Sequence, residues 1–236
     1  MIADGSPPLR VTIAIPVFNE EATVARVIAR VLEGGRASEV VVVDDGSTDG
    51  TSRALAAIRD PRLKALRHDR NRGKGAAMRT AFEAATGDVV VVQDADLEYD
   101  PDDYPALLQP ILDGRADAVY GSRFLGGPHR VLMFWHYAGN RFLTLLSNMI
   151  TNLNLTDMET GAKAFRTEFL RKMHLRQDRF GFEPEITAKL SRLGARVWET
   201  PVSYAGRTYA EGKKITWVDA LEVPWVLFRV RFLDGV

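Results

Sequence analysis

The most informative stretch of the chain is DVVVVQDADLE at residues 88–98. Its run of valines without polar alternation is typical of a strand that is buried on both faces of a parallel sheet. Asp94 and Asp96 follow at the strand end, where two close carboxylates are costly unless solvent reaches them or a cation bridges them. A hard divalent ion, Mg²⁺ or Mn²⁺, held by carboxylate and phosphate oxygens would remove this repulsion. The alternative is a solvated acidic turn.

Three further segments have the same apolar character and predict strands, at residues 11–17, 39–45 and 116–122. The segments between the strands have helical apolar spacing, which predicts helices at 21–32, 51–59, 75–85 and 103–112. Strands that alternate with helices form βαβ units, whose parallel strands are covered on both faces. Residues 1–122 therefore predict an α/β fold with a doubly wound, mostly parallel sheet flanked by helices.

The pattern changes after residue 122. The predicted elements there are a long aromatic helix within 134–155, a weak strand at 161–165, a helix at 185–193, a strand at 196–202, and a helix at 216–233 interrupted by Pro224. No internal repeat and no linker divides the chain. We therefore expect residues 1–236 to form a single domain, with amphipathic helices in its C-terminal half.

The composition excludes several classes of protein. The 31 Lys and Arg residues balance 31 Asp and Glu residues, so no net field favours nucleic acid as a partner. The absence of cysteine excludes disulfides, thiolate metal sites and cysteine nucleophiles, so a metal would need oxygen ligands. The start, MIADGSPPLR, lacks the features of a signal peptide, and no apolar stretch approaches the ~18 residues of a membrane span. We expect a cytoplasmic protein.

Polar residues follow the first two predicted strands and precede a later helix. In a doubly wound sheet, ligands bind at the carboxyl ends of the strands. The segments 16–20 and 44–49 combine carboxylates, a glycine and hydroxyls, which suit a base and a ribose. The segment RNRGKG at 70–75 places cations and free backbone N–H groups at a helix start, where a phosphate is stabilised. The alternative for the first two segments is ordinary turn and capping chemistry, and the third matches neither the Walker A nor the GxGxxG pattern.

The chain resembles the family 2 glycosyltransferases with the GT-A fold in the order and spacing of VFNEE, VVVDDGSTDGT, NRGKGAAMRTAF, GDVVVVQDADLEYDP and GSRF. It is similar to the branch typified by dolichyl-phosphate mannosyltransferase in GNRFLTLLSN, DMETGAKAFR, RFGFEPEITAKL and GRTYAEGKK. The resemblance implies a metal-dependent, inverting enzyme. Residues 1–122 would bind the nucleotide sugar and 123–236 the acceptor.

The resemblance also implies a role for individual residues. The donor-binding set is Pro16, Phe18, Glu20, Asp45, Lys74, Asp94, Ala95, Arg207 and Lys213, with Asp45 facing the base. The metal ligands are Asp94, Asp96 and Glu98, and the catalytic set is Asp94, Asp96, Arg123 and Arg141. The cations would grip the donor diphosphate or an acceptor phosphate. The alternative for each arginine is a surface ion pair.

The implied reaction transfers a hexose, with mannose from GDP-mannose as the first choice, to a polyprenyl phosphate at the cytoplasmic membrane face. A phosphate acceptor needs little general-base help, whereas a hydroxyl acceptor would need a carboxylate such as Asp157, Glu183 or Glu185. The alternatives are a soluble family 2 enzyme that uses a UDP-sugar and a hydroxyl acceptor, and a nucleotide-sugar binding protein without turnover. The donor, the prenyl length, the metal and a homo-oligomeric state stay open.

Two aromatic segments suggest peripheral contact with a membrane. The segment 132–150 is rich in Phe, Leu, Trp and Met, and is typical either of an interfacial helix or of a helix buried under the C-terminal segment. Near the C-terminus, Trp217, Trp225, Phe228 and Phe232 alternate with Arg229 and Arg231, which is a second amphipathic pattern.

Overall fold

The computed structural model describes residues 9–126, 129–131, 133–207 and 222–234. The strands in these ranges are β1 Val11–Val17, β2 Glu39–Asp44, β3 Leu63–Arg67, β4 Val89–Val92, β5 Ala118–Ser122, β6 Lys163–Arg166 and β7 Val197–Pro201. The helices are α1 Val24–Glu33, α2 Thr51–Ala57, α3 Lys74–Ala84, α4 Tyr104–Leu112, α5 Phe134–Thr151, α6 Thr167–Lys172, α7 Phe182–Arg192 and α8 Val223–Phe232, with a short 3₁₀ turn at Pro101–Asp103.

The seven described strands form one sheet in the order β3-β2-β1-β4-β6-β5-β7. Neighbouring strands are parallel except at β6, which pairs antiparallel with both β4 and β5. The predicted α/β class with a mostly parallel sheet is confirmed. Strands from both halves of the chain share this sheet, because β6 is inserted between β4 and β5.

Apolar clusters cover both faces of the sheet. In β2, Val40 and Val42 pack into one cluster with α1 and α4, whereas Val41 and Val43 pack into the other with α3, α7 and α8. Successive side chains of a strand point to opposite faces, so a strand with a helix layer on each side must be apolar at every position. This arrangement explains the unbroken valine runs and leaves the polar groups of the central strands at their carboxyl ends.

The structure corrects three element predictions. The edge strand β3, LKALR, was not predicted, because charged residues that stay exposed interrupt its apolar pattern. Helix α5 ends at Thr151, where Asn152 adopts a left-handed conformation, rather than at residue 155. In the described part of the terminal segment, α8 begins at Val223, so Pro224 lies in the first turn, where its missing N–H breaks no helical hydrogen bond.

Candidate active site

A cavity of about 870 Å³ lies at the carboxyl ends of the central strands. It is bordered by β1, β4 and β5, by the start of α3, and by the first half of α5. The sequence-predicted residues that line it are Pro16, Phe18, Glu20, Asp45, Lys74, Asp94, Ala95, Asp96, Glu98, Arg123 and Arg207. The fold thus brings together residues that are up to 191 positions apart (207 − 16 = 191). Lys213 and Trp217, which the sequence analysis singled out, lie outside the described residues.

The acidic residues after β4 form a crowded turn in this cavity. Leu97 has a positive φ of 64°, and the backbone N–H of Glu98 donates to Asp96 Oδ1 at 3.1 Å. Burial, together with the neighbouring Asp94 and Glu98 carboxylates, raises the pKa of Asp96 to about 7. A divalent cation at this point would favour the ionised carboxylates and reverse the shift. The donor set therefore fits a hard metal ion.

Two cations neutralise part of this charge. Lys74 Nζ lies 2.9 Å from Asp94 Oδ1 and 3.3 Å from Glu183. Burial lowers the pKa of Lys74, but Asp94 and Glu183 outweigh this effect and raise the pKa above its ordinary value. Arg207 Nη2 lies 3.1 Å from Asp96 Oδ2 and 3.2 Å from Glu20 Oε1. Both cations therefore lie beside the aspartates, where they could also form ion pairs with the phosphate oxygens of a bound diphosphate.

Glu98 has a different position from the two aspartates. Its Oε1 accepts from the backbone N–H of Arg207 at 2.7 Å, and its Oε2 accepts from the hydroxyl of Tyr204 at 2.8 Å. Through these bonds Glu98 anchors residues 204–207. Across the described ranges, no group of three or more His, Asp or Glu side chains is arranged to hold a metal ion. Asp94 and Asp96 therefore remain the two carboxylates best placed for a metal, and Glu98 as a ligand stays a prediction.

Asp45 lines the cavity but its carboxylate is already engaged. It accepts from the backbone N–H groups of Arg72 at 3.0 Å and Gly73 at 2.7 Å, and it lies 2.6 Å from His68 Nδ1. Gly73 has a φ of 104°, which favours glycine, and it precedes the first residue of α3. Asp45 thus holds the loop that directs Lys74 into the cavity. Its contact with a base stays a prediction.

Arg123 is fixed by a two-pronged ion pair. Its Nε and Nη2 atoms lie 2.7 and 2.8 Å from the two oxygens of Asp157, and its guanidinium lies 5.1 Å from the centre of the Tyr204 ring. Burial raises the pKa of Asp157, but Arg123 outweighs it and holds the pKa below its ordinary value. Asp157 is therefore ionised and positions Arg123, which makes it poorly suited to act as a base.

The other two carboxylates considered as bases are engaged as well. Glu183 forms ion pairs with the buried Lys163 and with Lys74. Glu185 accepts from the backbone N–H of Gln177 at 2.8 Å and lies 3.4 Å from Lys189. Both carboxylates are therefore already paired with lysine cations in the structure.

Sequence reasoning missed one carboxylate in the cavity. Glu159 lines the cavity, and its Oε1 atom is buried with no hydrogen-bond partner among the described residues. Burial and the nearby Glu183 raise the pKa of Glu159 to about 7, against the opposing effects of Lys163 and Arg123. Nothing in the motif DMETG distinguishes this glutamate from Asp157, because its lack of a partner depends on the tertiary structure.

Arg141 is not among the residues that line the cavity. It lies on the exposed face of α5, and its Nη1 donates to the carbonyl of Thr156 at 3.3 Å. Trp135, His136 and Asn140 from the same helix line the cavity instead. The predicted role of Arg141 in binding an acceptor phosphate is untested by this arrangement.

Helices α5 and α8 contact each other and both carry exposed apolar side chains, and α5 also borders the cavity. We call the surface of these side chains the aromatic face; its exposed residues are Phe134, Trp135, Tyr137, Phe142, Leu145, Met149, Trp225, Phe228 and Phe232. Trp135 is 81% exposed and Met149 is 74% exposed, whereas Leu143, Leu146 and Ile150 pack inward. Helix α5 is therefore amphipathic: its inner side packs in the cluster that also contains α8, and its outer side is exposed. None of the described helices combines the length and the apolarity needed to cross a bilayer.

Comparison with known proteins identifies the family. The profile of glycosyl transferase family 2 matches residues 12–173, which is more than half of the chain. The chain belongs to this family. The family predicted from the sequence motifs is confirmed, and so is the GT-A fold, because glucosyl-3-phosphoglycerate synthase of Mycobacterium tuberculosis superposes with a TM-score of 0.75. That superposition covers 96% of this chain and 81% of the other at 21% identity.

Two relatives of this family 2 glycosyltransferase act on lipid phosphates, according to their names. The undecaprenyl-phosphate mannosyltransferase of Micrococcus luteus is 32% identical over 220 residues, which cover 87% of each chain. The undecaprenyl-phosphate 4-deoxy-4-formamido-L-arabinose transferase of Aeromonas hydrophila is 30% identical over 210 residues, which cover 86% of this chain and 62% of that protein.

Proposed function

We propose that this glycosyltransferase moves a hexose from a nucleotide sugar to a polyprenyl phosphate while it is bound peripherally to a membrane. The observation that supports this proposal best is the position of α5. Trp135 and Asn140 of this helix line the cavity that contains Asp94 and Asp96, while its outer side belongs to the aromatic face. An acceptor with a charged head and an apolar tail would fit both surfaces at once. The names of the two relatives point to the same acceptor class.

We propose Mg²⁺ or Mn²⁺ as the cofactor, held by Asp94 and Asp96 together with oxygens of the donor diphosphate. The M. tuberculosis enzyme with the same fold was crystallised with Mn²⁺ and UDP, which supports this choice. When bound, the metal would neutralise the charge of the departing nucleoside diphosphate. In this chain, Lys74 and Arg207 stand within 2.9 and 3.1 Å of the same two carboxylates and would assist by binding the phosphate oxygens.

Arg123 is the residue best placed to hold the acceptor phosphate. It lines the cavity, and Asp157 fixes its orientation through two short bonds. A phosphate is already an anion at neutral pH, so the chain needs no base to activate it, which agrees with the engaged state of Asp157, Glu183 and Glu185. The expected reaction is a single in-line displacement with inversion, in which the protein mainly supplies position and charge.

The proposal is tested by a transfer assay with sugar-labelled donors. Purified protein is incubated with labelled GDP-mannose or UDP-glucose, undecaprenyl phosphate and Mg²⁺ or Mn²⁺, and label that enters the organic phase is counted. We expect transfer that EDTA abolishes, with GDP-mannose as the first donor because of the M. luteus relative. A matched reaction with a water-soluble glycan acceptor tests the alternative of a hydroxyl acceptor. Label that moves only to the glycan would overturn the lipid-phosphate assignment.

A further inference from the structure

The feature that the proposed reaction leaves unexplained is the unpartnered oxygen of Glu159. Its Oε1 atom is buried, faces no hydrogen-bond donor among the described residues, and belongs to a side chain that lines the active-site cavity. A buried oxygen without a partner destabilises the folded protein, because it has lost its hydrogen bonds to water and gained none in return. An arrangement of this kind is expected where a ligand supplies the missing donor.

The position of Glu159 along the chain places it between the two ends of the reaction. Two residues earlier, Asp157 fixes Arg123, the cation assigned to the acceptor phosphate. Two residues later, Gly161 packs so closely on the aspartate turn that an added Cβ would lie 2.1 Å from Asp94 Oδ2. The segment 157–161 therefore runs from the acceptor side to the metal side of the cavity. The group that occupies the space between these sides during transfer is the sugar.

The chemistry at Glu159 favours a neutral hydrogen-bond donor. Glu183 and Asp157 act on Glu159 as like charges, and Lys163 and Arg123 act as opposite charges. A further anion such as an ionised phosphate oxygen has no proton to donate to the Glu159 carboxylate. An apolar group would leave the oxygen unpaired. Sugar hydroxyls are neutral, can donate a hydrogen bond, and are present on every side of a hexose ring.

We propose that Glu159 Oε1 accepts a hydrogen bond from a hydroxyl of the transferred sugar, which makes Glu159 a specificity-determining residue for the donor. This assignment rests on the proposed function. A site that hydrogen-bonds a substrate hydroxyl strongly rejects an analogue without that hydroxyl, because the polar atom of the site is then left unpaired. An apolar pocket discriminates much less against a substrate that carries an extra group. Glu159 would therefore select donors by the hydroxyl that it meets.

The experiment compares a nucleotide with its sugar conjugate. Calorimetry measures the binding of GDP, GDP-mannose, UDP and UDP-glucose, with Mg²⁺ and without acceptor, to the wild type, Glu159→Ala and Glu159→Gln. We expect Glu159→Ala to weaken binding of the preferred sugar nucleotide by roughly tenfold or more and to leave the matching diphosphate within about twofold. Glu159→Gln keeps an acceptor oxygen and should lose less. Glu168→Ala, an exposed glutamate on α6, is the matched control and should change neither affinity.

Three outcomes would overturn the assignment. Equal losses for the diphosphate and the sugar nucleotide would mean that Glu159 shapes the site as a whole. Unchanged binding of both with lost turnover would mean that Glu159 acts as a base on a hydroxyl acceptor. Unchanged binding and turnover would mean that the carboxylate meets no ligand.

The outcome is separable from that of the proposed function. A wild type that binds a sugar nucleotide in a Glu159-dependent manner but transfers nothing to undecaprenyl phosphate would refute the proposed acceptor and leave the sugar contact standing. Transfer to the lipid that is unchanged in the Glu159 variants would support the proposed acceptor and refute the sugar contact. Donors that lack one hydroxyl at a time then identify the contact. Removal of the bonded hydroxyl should weaken donor binding to the wild type but not to Glu159→Ala.

Discussion

The aspartates after β4 are a residue-scale feature whose position follows from local sequence. Asp94 and Asp96 flank Ala95 directly after a strand, so they reach the strand end in any α/β arrangement. Their environment is a different matter, because the raised pKa of Asp96 results from burial and from Asp94 and Glu98 together. Ionisation of Asp96 is therefore less favourable in the folded protein than in water, and a bound cation would favour it.

Asp96→Ala should abolish most transfer and leave the fold intact. The substitution removes a proposed metal ligand. Because metal stabilisation of a leaving group lowers the activation free energy by several kcal/mol, we expect kcat to fall by roughly 10²–10³-fold or more. Thermal unfolding without metal should be unchanged or shifted upward, because a repelled buried carboxylate has been removed. The comparison uses kcat and Tm of both proteins, with EDTA-treated wild type as reference. Near-normal turnover by Asp96→Ala or by the EDTA-treated wild type would refute the metal role.

Glu159→Gln should stabilise the protein more at high pH than at low pH. The pKa of Glu159 is raised from 4.5 to about 7, so the folded protein binds a proton that the unfolded chain releases between these values. Stability due to this group is thus present below pH 4.5 and is lost as the pH rises to about 7. Glutamine carries no charge and avoids this loss. We expect the Tm difference between variant and wild type to be small near pH 5 and larger near pH 8.

The control for this prediction is Glu168→Gln on α6, which is exposed and should show a Tm difference that does not vary with pH. A Tm difference for Glu159→Gln that is constant from pH 5 to pH 8 would mean that Glu159 is ionised at ordinary pH values in the folded protein.

At the scale of elements, α5 has a packed inner side and an exposed outer side, and its sequence pattern left this arrangement undecided. The helix packs inward through Leu143, Leu146 and Ile150, and it exposes Phe142 and Met149 on the opposite side. Periodicity alone did not distinguish an interfacial helix from a buried one, because both have an apolar stripe. The choice depends on what covers the outer side, and among the described residues α8 packs in the cluster that contains the inner side of α5, while the outer side stays exposed.

Replacing two residues of the aromatic face, Phe142→Ser with Met149→Ser, should weaken binding to lipid vesicles. Interfacial helices bind in proportion to the apolar area that they bury, and these side chains are 63% and 74% exposed. The matched control is Leu112→Ser, which removes a 44% exposed leucine at the end of α4 on the other face of the sheet. Sedimentation with anionic vesicles should fall several-fold for the double variant and stay constant for the control. Equal sedimentation of all three proteins would argue against a membrane role for this face.

Arg141→Ala should reduce transfer to polyprenyl phosphate and leave donor binding unchanged. Arg141 lies on α5 outside the cavity lining, so its removal does not disturb the groups around Asp94 and Asp96. If it attracts the acceptor phosphate, the KM for the lipid should rise, while the affinity for GDP-mannose measured by calorimetry stays constant. A parallel loss of donor affinity would assign Arg141 to the donor side.

At the scale of the whole molecule, the site is assembled by the way the sheet is built. Strand β6 comes late in the chain, yet it enters the sheet antiparallel between β4 and β5. This insertion brings the segment 157–161 against the aspartate turn and brings Arg123 beside it. A weak strand is predicted at 161–165, but nothing local in KAFR indicates that it enters the sheet antiparallel.

By itself, the sequence determined the α/β class, the family and the positions of the aspartates and of part of the cavity lining. These features depend on patterns and motifs that are contiguous in the chain and that follow directly from strand and turn chemistry. Only the tertiary structure decided that Asp157 and Glu183 are held by cations, that Glu98 anchors a loop, and that Glu159 has an oxygen without a partner. The physical reason is that burial and hydrogen-bond satisfaction are set by contacts between residues far apart in the chain.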